Sequence, residues 1–154
     1  MNAQKYVSAA RLQELKDELR QLKFTTIPKI AQQIDDAKQN GDLSENAEYS
    51  DAKERMAFAH GRVAELDQLL SNAVVISEPV AGAETVHIGS TIVVETNGAP
   101  RTYTIVGSNE ADPSAGLISN ESPIGEAFLG RKVGDDVEVV TPIKTTNYKI
   151  LEIK

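Results

Sequence analysis

Apolar residues in the first 76 positions fall on two seams. The first runs Leu12, Leu15, Leu19, Leu22, Ile27, Ile30, Ile34, Ala37, in steps of three and four with a single step of five. The second runs Ala52, Met56, Ala59, Val63, Leu66, Leu70, Ala73 without a slip. Such spacing lines one face of a helix. The seams also test each other, because facing residues of an antiparallel hairpin have position numbers with a nearly constant sum. The total is 90 for Ile34 with Met56, 89 for Ile30 with Ala59 and 88 for Leu22 with Leu66. The pattern predicts an antiparallel coiled coil that folds back near residues 44 and 45. A first arm of roughly 30 residues would hold that turn ~45 Å from the base. The step of five coincides with Thr25, Thr26 and Pro28. Because proline removes a helical hydrogen bond and crowds the preceding turn, a kink or a short break is expected there.

Beyond residue 83 the pattern changes to short β-rich runs. ETVHIGSTIVVET and RTYTIVG flank Asn97-Gly98, a strong hairpin signal. GLIS, DDVEVVT and TTNYKILEI follow, and His87 is placed at the start of a strand. Within SPIGEAFLG, Ser122 is placed as an N-cap and Pro123 as the first helical residue, which predicts one short helix. Glycine and proline also become frequent only after residue 76. The predicted class is therefore α+β: a coiled-coil hairpin over residues 1–76, a linker over 77–83, and a small antiparallel sheet with one short helix over 84–154.

Composition narrows the function. Without cysteine there is no disulfide framework and no thiolate metal site, and His60 and His87 have no zinc-ligand spacing. No apolar run approaches the ~18 residues of a membrane span, and the amphipathic start does not resemble a signal peptide, so a soluble, cytoplasmic protein is expected. A net charge of -7 argues against general affinity for nucleic acid.

The candidate chemistry lies in NGDLSENAEY, residues 40–49. Asp42 or Ser44 could simply cap the second helix, with Glu45 and Glu48 in its first turn. Yet residues 35–54 carry seven acids against two lysines, and a cap needs no arm ~45 Å long. Carboxylates gathered on a projecting turn suit a hard cation such as Mg²⁺, which takes one or two carboxylates and fills its other positions elsewhere. Two acids alone would bind it weakly, so a partner would supply the remaining ligands.

The run NGDLSENAEYSDAKE, the helix running into LSNAVVI, and the later GLIS, SPIGEAFLG and VGDDVEV resemble the bacterial transcript cleavage factors of the Gre family, GreA type. The resemblance covers nearly the whole chain. It implies an FKBP-like C-terminal domain that docks on bacterial RNA polymerase, and a coiled coil that passes through the secondary channel to the active site. It implies that Asp42 and Glu45 help hold a Mg²⁺ shared with the polymerase, so that the polymerase cleaves backtracked RNA. The chain would be an accessory factor, expected to act as a monomer. By the same resemblance Lys38, Lys53 and Arg55 would face the transcript's phosphates, although ordinary surface pairing explains each. Tyr49 either packs beside the RNA 3′ end or covers the tip, and Glu48 either serves the helix dipole alone or adds to the metal site. Ser122, Pro123 and Ile124 match the docking surface.

Three rivals stand beside this expectation. A channel binder that inhibits polymerase would have an altered tip. A prolyl isomerase would need an aromatic-lined pocket, for which the second domain offers only Tyr103, Phe128 and Tyr148. A free-standing nuclease would need more metal ligands than the tip carries.

Overall fold

The computed structural model describes residues 4–41, 46–77 and 82–154. Contacts divide the chain into two units, Leu12–Asn72 and the residues up to Arg11 together with Ala73–Lys154. None of the described helices is long and apolar enough to cross a membrane.

The first unit is a helical hairpin. Helix α1 (Ala9–Gln21) passes through a π-turn (Leu22–Thr26) into α2 (Ile27–Gln39), and α3 (Ala47–Ser71) returns. Its buried residues, Leu15, Ile30, Ala37, Ala52, Ala59 and Leu66, are all seam positions. Around the middle, Ile30, Ala52 and Ala59 form a core against which Leu22, Ile27, Ile34 and Met56 pack. Alanine on both arms keeps the backbones close. Two polar bridges respect the same register: the Arg55 guanidinium donates to Gln33 at 2.9 Å, and Lys23 reaches Asp67 at 3.1 Å. Arg62 donates to both oxygens of Glu18 across the hairpin, at 2.6 and 3.0 Å, and to Glu65 at 2.8 Å. The hydrogen bond to Glu18, then that to Glu65, holds its pKa above the usual guanidinium value. Replacing the fully buried Leu66 by alanine should cost about 2–5 kcal/mol, measured as a fall in the unfolding midpoint of the hairpin.

The step of five in the first seam is taken up within one continuous helical run. No break occurs, and the backbone stays helical through Gln21, Thr26 and Ile27. The π-turn absorbs one extra residue instead: Ile27 N–H donates to the Leu22 carbonyl, five residues back. Leu22 and Ile27 therefore both stay on the buried side. Pro28 follows just after the π-turn inside this continuous helix. It can offer no N–H to the preceding turn.

The second seam ends sooner than its periodicity suggests. Ala73 is not helical: α3 closes at Ser71, and the Gln68 carbonyl accepts from Ser71 Oγ, Asn72 N–H and Asn72 Nδ2. The following run contains β-branched residues and forms strand β2 (Ala73–Val75), which pairs in parallel with β1 (Lys5–Val7). Contacts therefore place both ends of the first 76 residues in the second unit, although the compositional shift lies after them. Ser8 fastens β1 and the start of α1 there. Its hydroxyl accepts from Arg11 N–H at 3.1 Å, while its own N–H and O–H donate to the Glu110 carboxylate at 2.9 and 2.5 Å. Gly107 lies against Tyr6 so closely that a Cβ would stand 1.6 Å from the Tyr6 carbonyl oxygen.

The remainder of the second unit is a five-stranded sheet: β3 (Thr91–Thr96), β4 (Ala99–Val106), β5 (Leu117–Ser119), β6 (Asp136–Val140) and β7 (Thr145–Ile153), in the order β5-β4-β3-β7-β6. It is not wholly antiparallel, because β5 runs parallel to β4. Between them the chain makes two 3-10 turns, Ser108–Glu110 and Pro113–Ala115, so β5 re-enters alongside β4 without a hairpin. The β3–β4 turn has Asn97 at φ 52° and Gly98 at φ 74°, the left-handed pair that matches strand twist. His87 lies ahead of β3 in a turn, where Ser90 Oγ accepts from its N–H at 3.1 Å. Helix α4 (Pro123–Phe128) covers the sheet. Phe128 is fully buried, with Val86, Ile92, Val94, Ile105, Val137, Val139 and Ile150 around it.

Candidate functional site

The turn that should carry the chemistry has described residues on both sides. Asp42, Ser44 and Glu45 themselves lie outside the described residues. On the incoming side α2 ends at Gln39, and Asn40 N–H donates to the Ala37 carbonyl at 3.2 Å. Gly41 then takes φ 125°, a backbone that residues with a side chain rarely adopt. On the outgoing side the N-cap of α3 is Asn46, whose Oδ1 accepts from Tyr49 N–H at 3.1 Å. The cap therefore falls on neither Asp42 nor Ser44. Asn46 also reaches back across the hairpin, its Nδ2 donating to the Ala37 carbonyl at 2.9 Å. Sequence reasoning passed over this residue because two upstream candidates looked better. The signal was present, since asparagine ranks among the best N-caps.

The flanking candidates are placed as follows. Lys38 pairs with Asp35 at 3.8 Å, both well exposed. Lys53 stands 5.4 Å from the centre of the Tyr49 ring, and Tyr49 is half-buried. Arg55 is held by Asp51 at 2.9 Å and by Gln33 on the other arm. Glu48 lies in the first turn of α3, in keeping with a role at the positive end of the dipole. Behind the turn a cleft of about 290 Å³ is lined by Gln33, Asp36, Ala37, Asn40, Glu48, Asp51 and Arg55. The structure thus brings Tyr49 to Lys53, and Glu48 to Arg55 around one cleft. Among the described residues no group of three or more acids or histidines is placed to hold a metal.

Ser122, Pro123 and Ile124 lie in the other unit. Ser122 caps α4, its Oγ accepting from Gly125 N–H at 3.1 Å and donating to the Ser119 carbonyl at 2.7 Å. Pro123 is exposed in the first turn, and Ile124 packs on the core. Gly125 explains itself, for a Cβ there would meet the Ser119 oxygen at 1.9 Å. The three aromatics that an isomerase pocket would use are packed on one another, with ring centres 5.4 to 6.4 Å apart. Phe128 is wholly buried and Tyr148 is 8% exposed, and burial pushes the Tyr148 phenol above its usual pKa. They serve the core. His60 is exposed on α3, outside the seam, and His87 Nε2 lies 2.8 Å from Thr85 Oγ1.

Comparison with known proteins agrees with this anatomy. The family described as "Transcription elongation factor, N-terminal" matches residues 5–75, and "Transcription elongation factor, GreA/GreB, C-term" matches residues 81–154. Transcription elongation factor GreA of Thermoanaerobacter pseudethanolicus is 48% identical over 93% of this chain and 92% of its own length. That of Caldanaerobacter subterraneus subsp. tengcongensis is 47% identical over the same shares. GreA of Clostridium acetobutylicum is 44% identical over 97% of each chain, so the similarity spans hairpin, turn and sheet alike. With family models matching residues 5–75 and 81–154, the chain belongs to the GreA/GreB family of transcription elongation factors.

Proposed function

We propose that this chain is a transcription elongation factor that binds bacterial RNA polymerase, enters its secondary channel with the helical hairpin, and stimulates the polymerase's own cleavage of backtracked RNA. The observation that carries this is the match of both family halves together with a turn that retains the acids Asp42 and Glu45. Cleavage is the polymerase's reaction, and this chain is its accessory.

Asp42 and Glu45 are the residues assigned to the cation. Two carboxylates are hard oxygen donors of the kind Mg²⁺ takes, and the described residues offer no complete set of ligands. The remaining ligands come from the polymerase. When bound, a Mg²⁺ there stabilises charge on phosphodiester oxygens and activates water. The arm's part is delivery: the paired helices carry the turn, and α3 takes its cap from Asn46. Tyr49, stiffened by Lys53 above its ring, is assigned to the 3′ end of the extruded RNA, with Lys38 and Arg55 beside its phosphates. The sheet unit, FKBP-like in its outline, is assigned to docking through Ser122, Pro123 and Ile124, and the factor acts as a monomer.

The test uses polymerase stalled on a backtracked, 5′-labelled transcript in Mg²⁺. Adding the protein should shorten the RNA from its 3′ end and restore extension, while the protein with RNA alone should cut nothing. Binding without shortening would mean a non-cleaving channel regulator instead.

A further inference from the structure

We infer that Asn46 is a positioning residue for the stimulated cleavage, acting by tying together the two helix ends between which the acidic turn is strung. The inference rests on the proposed function and assigns a role to a residue that does not itself hold the cation.

The geometry is specific. A simple N-cap uses only its side-chain oxygen, and here Oδ1 accepts from Tyr49 N–H at 3.1 Å. The amide nitrogen, which a cap leaves free, donates at 2.9 Å to the Ala37 carbonyl in the last turn of α2. That carbonyl also receives Asn40 N–H at 3.2 Å, and Ala37 is 3% exposed. One side chain therefore satisfies an orphan donor at the start of one helix and an acceptor at the end of the other. Its two bonds join residues on either side of the sequence segment that contains Asp42 and Glu45. A coordinating pair works only where its spacing is held before the cation arrives, and groups outside the ligand set commonly set that spacing. Tyr49 is coupled to the same tie, because its N–H is the one that Asn46 receives and its ring lies under Lys53.

Two substitutions separate the tie from the cap. Asn46→Ser keeps a side-chain oxygen for the helix start, but its arm ends one bond short of the amide nitrogen. Asn46→Ala loses both functions. For Asn46→Ser we expect unchanged helix content and melting temperature, unchanged competition for polymerase, and a fall in stimulated cleavage of about 10- to 100-fold, the range seen when outer groups that orient metal ligands are removed. The Mg²⁺ concentration for half-maximal cleavage should rise about tenfold, a readout that a purely structural cap would not move. Wild-type cleavage and an unchanged Mg²⁺ midpoint in Asn46→Ser would overturn the inference. So would a loss of cleavage in Asn46→Ser and Asn46→Ala that only follows their loss of thermal stability. A wild-type protein that stimulates no cleavage at all would sink the proposed function, and this inference with it.

Discussion

Asp42→Asn combined with Glu45→Gln is expected to abolish stimulated cleavage, by at least about 100-fold, the scale on which removal of a charge-stabilising group usually acts. Affinity for polymerase should change little, because docking is assigned to the sheet unit. The amides keep the shape and volume of the carboxylates and remove only their charge. Because α3 is capped by Asn46, the exchange should leave the start of that helix intact, so a lost activity would report on the acids themselves. Glu48→Gln is the companion. Sitting in the first turn of α3, its charge is worth about 0.3–1 kcal/mol to the helix, and cleavage should fall by no more than a few-fold. Gel analysis of labelled transcript, with competition binding alongside, decides both. Double-variant cleavage equal to wild type would rule out the assignment of the cation to this turn.

The second large effect concerns a glycine far along the sequence from the acids. Gly107→Ala would place its methyl 1.6 Å from the Tyr6 carbonyl oxygen, and that oxygen belongs to backbone. No rotamer change relieves such a clash. Strand β1 must move, and with it the Ser8 bonds to Glu110 and the β1–β2 pairing. A cost of about 3 kcal/mol, the upper end for overpacking, is expected. In a unit of this size that is a fall in Tm of more than about 10 °C, measurable by calorimetry. Gly61→Ala is the contrast. Gly61 is exposed within α3, with nothing within 4 Å of an added methyl. It should stabilise the hairpin by up to about 1 kcal/mol, through helix propensity alone. Equal melting temperatures for the two variants would mean that the close approach of β1 contributes nothing.

What the chain reveals of itself depends on how many residues repeat a signal. The facing seam positions pointed to one register, and the buried hairpin residues are drawn from the seams; glycine, asparagine and proline punctuate the longer strands and the capped helix. Three-residue strands carry no period, and a parallel pairing of Lys5–Val7 with Ala73–Val75 joins segments nearly 70 positions apart, so the small sheet was hidden. The parallel entry of β5 was hidden for a similar reason: GLIS reads as a strand, yet nothing local records its direction. At the candidate site the acids stood out by charge and by resemblance. The residue that ties the turn did not, because its second bond runs to a backbone carbonyl and leaves no trace in residue type.

The π-turn bears on how such a hairpin can change length over generations. Elsewhere in either arm, losing one residue would rotate everything beyond it by about 100° and take half the seam out of the interface. Between Leu22 and Thr26 the widened turn already holds one residue more than an α-helix needs, so a single deletion there restores an ordinary turn and leaves the facing pairs in step. When related sequences are aligned, one-residue gaps in the first arm should collect in this segment. The surplus residue is then a heritable slack, at which the first arm can lose a position while the partner helix keeps its pairing.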